Sequence, residues 1–335
     1  MLNIAILGAG SWGTALSILL AKNNHKVSVW SAFDAEAWML TENREHIEKL
    51  PGFIVPDNVC FTTDLYECVC DAELIVIAVP SRNVRETVKK ASDYIKNSAV
   101  VVVCSKGFEE NTGLRLSQVI QQEMRENSVV VLTGPSHAEE VAMEMPTTVV
   151  AASENRKDAE YVQDAFMSTR FRVYTSPDVI GAETGAALKN IIALCAGISD
   201  GLGYGDNTKA ALITRGLTEI ARMGKALGAS SRTFSGLAGM GDLIVTCTSR
   251  HSRNWKAGYL IGGGMSPEEA LSEIKMTVEG VPAAKAAYSL AIKYGISMPI
   301  TEQAYQVLFN RKPPVDAVNT LMLRSKKNEI EDTGW

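Results

Sequence analysis

What this 335-residue chain lacks sets its first limits. Its six cysteines (Cys60, Cys68, Cys70, Cys104, Cys195 and Cys247) show no metal-type spacing. Cys68 and Cys70 are separated by one residue, where redox and zinc motifs use two. Several of the thiols lie in apolar runs and read as small hydrophobes, so no metal site and no disulfide scaffold is expected, and a reducing compartment is. There is no excess of positive charge: 33 lysines and arginines face 38 aspartates and glutamates, a formal net charge of −5. That argues against a nucleic-acid binder or a protein held on acidic membranes, but not against an anionic small ligand, because local bases can outweigh the global sign. No basic leader precedes the first apolar run, which breaks at glycine and reads as a strand rather than a signal peptide. No later apolar stretch is expected to approach the ~20 residues of a membrane span. The expected setting is the cytoplasm.

What is present is enough for two domains, with 46% hydrophobic and 21% charged residues. In the first half, "NIAIL" (3–7), "KVSVW" (26–30), "LIVIAV" (74–79), "AVVVVC" (99–104) and "SVVVLTG" (128–134) are nearly continuous apolar runs. Such runs suit strands covered on both faces, as in a parallel sheet with crossover helices. "TTVVAAS" (147–153) and "FRVY" (171–174) read as further strands. After "TSPD" the strand signals stop, and alanine, leucine, isoleucine and methionine recur at helical spacing. The fold class expected is α/β: a Rossmann-type doubly wound sheet in residues 1–177, then an all-helical domain in 178–335. The charged end, "RSKKNEIEDTGW", reads as a frayed tail.

"ILGAGSWG" places Gly8, Gly10 and Gly13 in a GxGxxG pattern directly after a strand and before a helix. Gly8 permits the tight turn, Gly10 lets the backbone approach a pyrophosphate, and Gly13 lets helix and strand pack closely, with the helix N-terminus facing the anion. A dinucleotide site is therefore expected. At the end of the second strand an acid binds ribose hydroxyls, whereas an arginine accommodates a 2′-phosphate. Here "WSAFDAEA" offers no base, and its first acid is Asp34, which could equally cap the next helix. NAD or NADP is expected as cofactor, and the loop leans towards NAD.

Ligands of open α/β sheets gather at the carboxyl ends of the strands. Lys106 follows one strand and is succeeded by Gly107; Ser136 and His137 follow another. His137 reads as a structural helix-start residue, with acid–base work as its alternative. In the helical half, "CTSRHSRNWKAG" clusters Arg250, Arg253 and Lys256 with Ser249, Ser252 and Asn254, which suits either a phosphate cradle or a solvated basic loop. Lys189 lies in "GAALKNIIAL" with no carboxylate one helical turn away. A buried ammonium responds to that cost by lowering its pKa, and a lysine near neutrality suits general acid–base work. Asp242, in "GLAGMGDLIVTC", is a carboxylate in apolar company, and Lys189 is its candidate partner across the fold. These features together suit hydride transfer on a phosphorylated alcohol or ketone.

"GAGSWGTALS", "CSKGFE", "TGPSHAEEV", "GAALKNIIALCAGISDGLGYGDNTKAALITRGLTEI", "GLAGMGDLIVTCTSRHSRN" and "TVEGV" resemble the NAD(P)-dependent sn-glycerol-3-phosphate dehydrogenases, from Ile4 to about Thr320. The resemblance implies a homodimeric cytoplasmic enzyme that reduces dihydroxyacetone phosphate and supplies phospholipid synthesis. It makes Lys189 the proton acceptor and donor, with Asn190 beside it, and places Lys106 and Asp242 at the substrate hydroxyls. Gly134, Ser136, Ser252, Arg253 and Asn254 would surround phosphate and glycerol. Gly8, Gly10, Ser11, Trp12, Gly13, Phe33, Lys106, Ala138, Arg253 and Glu279 would meet the cofactor. Many members carry a base after the second strand, where Ser31, Ala32 and Phe33 stand here. The rival readings are a related dehydrogenase of a β-hydroxy acid or sugar acid, with Arg253 on a carboxylate, and a dinucleotide-sensing protein without turnover.

Overall fold

The computed structural model describes residues 1–274, 276–326 and 328–329. The described residues form ten strands: β1 (Asn3–Leu7), β2 (Lys26–Trp30), β3 (Glu45–His46), β4 (Leu50–Ile54), β5 (Val59–Thr62), β6 (Leu74–Ile77), β7 (Val100–Val103), β8 (Val129–Thr133), β9 (Thr147–Ala152) and β10 (Phe171–Ser176). Eight of them make one sheet in the order β10-β9-β8-β7-β6-β1-β2-β5, while β3 and β4 form a separate hairpin. The expected apolar runs all appear as strands. Their burial explains the lack of alternation in sequence, because both faces are covered. Ile4 and Ile6 join the core on one side of the sheet, and Ala5 and Leu7 join the core on the other.

Three features differ from the sequence reading. The sheet is mixed, since β8 and β9 pair antiparallel while the other pairs are parallel. The edge strand β5 and the β3–β4 hairpin were not expected. Finally, one apolar segment does reach membrane-span length: the Val179–Gly201 helix has 23 residues, with a mean hydropathy of 1.4 over its most apolar window. That window is 89% buried inside the protein, so the helix is the core of the helical half.

This central helix starts one residue after Asp178, whose side chain accepts a hydrogen bond from Gly181 N at 2.9 Å, a side-chain cap of the usual kind. From there to Met322 the described chain is helical. The expected tail from Arg324 lies partly outside the described residues. Glycines bring the Arg253–Gly262 helix unusually close to the central one. A Cβ on Gly197 would sit 2.0 Å from Trp255 O, and one on Gly258 would sit 2.0 Å from Leu194 O. Side chains there would push the helices apart and carry Asn254 away from Asn190.

Candidate functional site

The site assembles at the carboxyl ends of the strands, where the sheet meets the helical half. Gly8, just past β1, adopts φ +118° and leaves no room for a side chain, with a Cβ falling 2.9 Å from the Ala78 and Val79 backbone. A Cβ on Gly13 would lie 1.8 Å from Gly8 O, whereas one on Gly10 would meet nothing within 4 Å. The turn is thus closed beneath and open above, at the start of the Ser11–Lys22 helix. Its N-terminus has no side-chain cap, so the first amides are free for an anion. These residues fit a dinucleotide pyrophosphate. Trp12, on the first turn, packs against the core cluster that contains Cys104. Ala138 opens the short Ala138–Ala142 helix packed against the same first helix. Phe33 is exposed at the rim after β2.

Beside this cradle three charged groups converge. Lys189 is buried and hydrogen-bonds Asp242 Oδ1 and, at 2.7 Å, Thr246 Oγ1. Lys106 Nζ donates to Asp242 Oδ2 at 2.8 Å and to Gly134 O at 3.3 Å. Thr133 Oγ1, at the end of β8, lies 3.4 Å from Asp242 Oδ2. The partner sought for Lys189 across the fold is therefore Asp242, supplied by the Asp242–Thr248 helix; the lysine is not unpaired. Burial lowers the Lys189 pKa to about 7, with Asp242 pulling it up and Lys106 pushing it down. Burial alone would raise the Asp242 carboxyl, but the Lys106 and Lys189 ammonium groups outweigh it and hold it below its usual range. The cluster has two ammonium groups and one carboxylate, and a lysine poised near neutrality.

Asn190, which follows Lys189 on the central helix, pairs with Asn254. Asn254 Nδ2 donates to Asn190 Oδ1 at 3.0 Å, and Asn254 Oδ1 accepts from Gly280 N at 2.8 Å. Glu279, just before that glycine, accepts from Ser81 N at 3.1 Å and Ser81 Oγ at 2.6 Å, tying the helical half to the loop after β6. Ser252 Oγ accepts from Trp255 N at 3.2 Å, capping the Arg253–Gly262 helix. Ser136 Oγ donates to Gly134 O at 3.0 Å. Arg253 begins the capped helix and forms no hydrogen bond or ion pair with a described residue, while Glu279 and Glu139 lie within its Coulombic reach. Arg250 and Lys256, grouped with it in sequence, are exposed, as Arg253 itself is, and they form no hydrogen bond or ion pair with the Lys106–Asp242–Lys189 cluster. His137 precedes the Ala138–Ala142 helix and packs on His251, ring centroids 5.9 Å apart. Burial and the Lys189 charge push its pKa down.

Thr246 and Thr133 were missed in the sequence. Thr246 had a signal, since it stands four residues after Asp242 on a helix and so shares its face. Among the described residues no group of histidines, cysteines and acids could hold a metal ion.

A glycine-rich nucleotide turn, a helical half closing over the strand ends and a lysine held near neutrality define a nicotinamide-dependent dehydrogenase of the Rossmann-plus-helical class. The family model described as the NAD-dependent glycerol-3-phosphate dehydrogenase N-terminus matches residues 3–159, and its C-terminal counterpart matches residues 178–319. A glycerol-3-phosphate dehydrogenase (NAD(P)+) of Agathobacter rectalis is 53% identical over 335 residues, covering 100% of both chains. The protein of that name from Bacillus subtilis is 52% identical, covering 99% of this chain and 97% of its own. The crystal structure of glycerol-3-phosphate dehydrogenase from Coxiella burnetii superposes with a TM-score of 0.94 at 37% identity, over 96% of this chain and 99% of the other. A ketopantoate reductase of Ralstonia eutropha shares the fold alone, at TM-score 0.60 and 16% identity. The chain belongs to the NAD-dependent glycerol-3-phosphate dehydrogenase family. It is an NAD(P)-dependent oxidoreductase.

Proposed function

We propose that this chain interconverts dihydroxyacetone phosphate and sn-glycerol 3-phosphate, with Lys189 moving the proton. The observation that carries the reading is the buried Lys106–Asp242–Lys189 cluster beside the nucleotide turn, which holds one more ammonium than carboxylate. The nicotinamide, when bound, supplies or takes the hydride at the substrate carbon. In the reducing direction the protonated Lys189 Nζ donates its proton to the carbonyl oxygen as that oxygen gains charge. In oxidation the neutral amine accepts the hydroxyl proton. Asp242 aims the amine, and Lys106 holds Asp242 and Gly134 O while offering its one remaining N–H to a substrate hydroxyl. The net positive charge favours an oxyanion forming there over the neutral ketone. Arg253 and the amides at the start of its helix take the phosphate, with Gly134, Ser136, Ser252, Asn190 and Asn254 shaping the pocket. Gly8, Gly10, Ser11, Trp12, Gly13, Phe33, Lys106, Ala138, Arg253 and Glu279 line the cofactor. The reading includes a division into residues 1–177 and 178–335, homodimeric assembly, cytoplasmic residence and supply of glycerophosphate for phospholipids. The test is NADH oxidation with dihydroxyacetone phosphate, unphosphorylated dihydroxyacetone and a β-keto acid in parallel. Turnover with the phosphate ester far above the other two is expected; turnover only with the keto acid would overturn the reading.

A further inference from the structure

We propose that the Glu36–Lys49 pair makes this chain select NAD over NADP, which rests on the reading of the nucleotide turn given above. Gly8 N donates to Trp30 O at 3.0 Å, so the glycine-rich turn leans on the end of β2 and residues 31–33 border the cradle. This border is where folds of this class read the ribose: an acid suits the 2′-hydroxyl, and a guanidinium the 2′-phosphate. Ala32 and Phe33 are both exposed there, and neither carries charge. Ser31 is buried. Its hydroxyl accepts from Phe33 N at 3.1 Å and donates to Glu36 Oε2 at 2.5 Å. The acid hydrogen-bonded to this border is Glu36, while Asp34 stands exposed at the start of the following helix.

The other oxygen of Glu36 receives His46 Nε2 at 3.0 Å and the Lys49 ammonium, both from the β3–β4 hairpin. Burial opposes the charged form, but hydrogen bonds from His46, Lys49 and Ser31 outweigh it and bring the Glu36 pKa down to about 2. The carboxylate is ionised at neutral pH, and it already engages the Lys49 ammonium. Arg44, on the same segment, is committed elsewhere: its guanidinium bonds the carbonyls of Val55, Pro56 and Val59 and lies over the Phe61 ring. A 2′-phosphate arriving here would set a second anion beside Glu36 and compete with it for Lys49. A 2′-hydroxyl is neutral and meets neither obstacle. Juxtaposed like charges repel, and that repulsion separates two otherwise identical cofactors.

The test measures dissociation constants of NADH and NADPH by nicotinamide fluorescence, with no substrate present, for wild type, Glu36→Gln and Lys49→Gln. Because turnover is not read, failure to reduce dihydroxyacetone phosphate would count against the proposed function and leave this test intact. Wild type should bind NADH at least about tenfold tighter than NADPH. Glu36→Gln removes the repulsion and frees Lys49, so the ratio should move towards NADPH by about tenfold. Lys49→Gln leaves Glu36 uncompensated and should move the ratio further towards NADH. Should Glu36→Gln fail to fold, the Lys49→Gln ratio decides alone. Tighter NADPH binding by wild type, or ratios that neither substitution shifts, would overturn the proposal.

Discussion

Glu183 and Lys189 stand on the same buried helix, and both carry charge in an apolar setting, yet their surroundings close differently. The Glu183 carboxylate receives Arg115 Nη1 at 2.5 Å, Ser117 N at 2.8 Å and Ser117 Oγ at 2.6 Å. One guanidinium meets one carboxylate, both carboxylate oxygens are satisfied, and the charges cancel. At Lys189, two ammonium groups share the single carboxylate of Asp242. A buried pair that fastens two parts of a fold needs no third party. A buried cluster left with surplus charge is incomplete until something negative arrives; in the proposed function that is the substrate oxygen as it gains charge.

The largest effect is expected on the open side. Lys189→Ala should lower turnover by ~10²–10⁴, the usual loss when a general acid–base is removed, and Asp242 keeps Lys106, so the fold should survive. The wild-type pH profile should follow the same group. With a pKa of about 7, the lysine is charged below that value and can donate, so reduction should be flat at low pH and fall as pH rises through 7. Oxidation needs the neutral amine and should rise over the same interval. Both limbs should vanish in the variant. Stopped-flow kinetics in each direction checks this, and near-normal turnover in Lys189→Ala would remove Lys189 from its role.

On the closed side the effect should fall on stability. Glu183→Ala leaves Arg115 without its partner in a largely buried place, and breaking such a pair typically costs about 3–5 kcal/mol. Denaturant midpoints should drop accordingly, while the turnover of protein that remains folded changes little. Were turnover to collapse at unchanged stability, Glu183 would belong to the chemistry and the contrast would fail.

How far this contrast was legible in the sequence depends on what each residue needed to be seen. The strands of the sheet interior announced themselves because burial on both faces leaves continuous apolar runs. The edge strand "VCFT" (59–62), paired on one side only, is four residues long and looks like any loop. The reversal between β8 and β9 left no mark either, because an apolar run does not state its direction. Lys189 was visible as an anomaly, a charge in an apolar helix, and Asp242 for the same reason. Thr133 and Thr246 are uncharged and unremarkable in composition; the i, i+4 spacing from Asp242 points to Thr246, whereas only the folded geometry turns Thr133 towards that carboxylate. Glu36 was passed over because the rule for ribose recognition looks at the strand end, whereas here Ser31 relays that end to a carboxylate on the following helix. The segments that carried the family resemblance contain Lys189, Arg253 and Asp242 together, so the resemblance supplied roles that spacing alone left open.

The smallest predicted effect sharpens the contrast by asking where the second negative group of the substrate goes. Arg253 forms no ion pair within the described chain, although Glu279 and Glu139 lie near enough to feel its charge. It stands at the first position of the Arg253–Gly262 helix, where backbone amides also point outward, and Ser252 uses its hydroxyl to cap one of them. A phosphate there would meet both a guanidinium and the helix terminus. Losing one partner of such a charge-assisted contact costs about 1.5–3 kcal/mol, roughly tenfold to a hundredfold in affinity. Arg253→Ala should therefore raise the KM for dihydroxyacetone phosphate by that factor and leave the weak activity on unphosphorylated dihydroxyacetone nearly untouched. Arg253→Lys keeps the charge without the planar fork, so partial recovery is expected if a single contact suffices and little if the phosphate is held by both nitrogens. Steady-state kinetics on both substrates reads the result. Equal losses on the two would mean that Arg253 serves the cofactor or the fold, and the phosphate would then have to be sought elsewhere along the same rim.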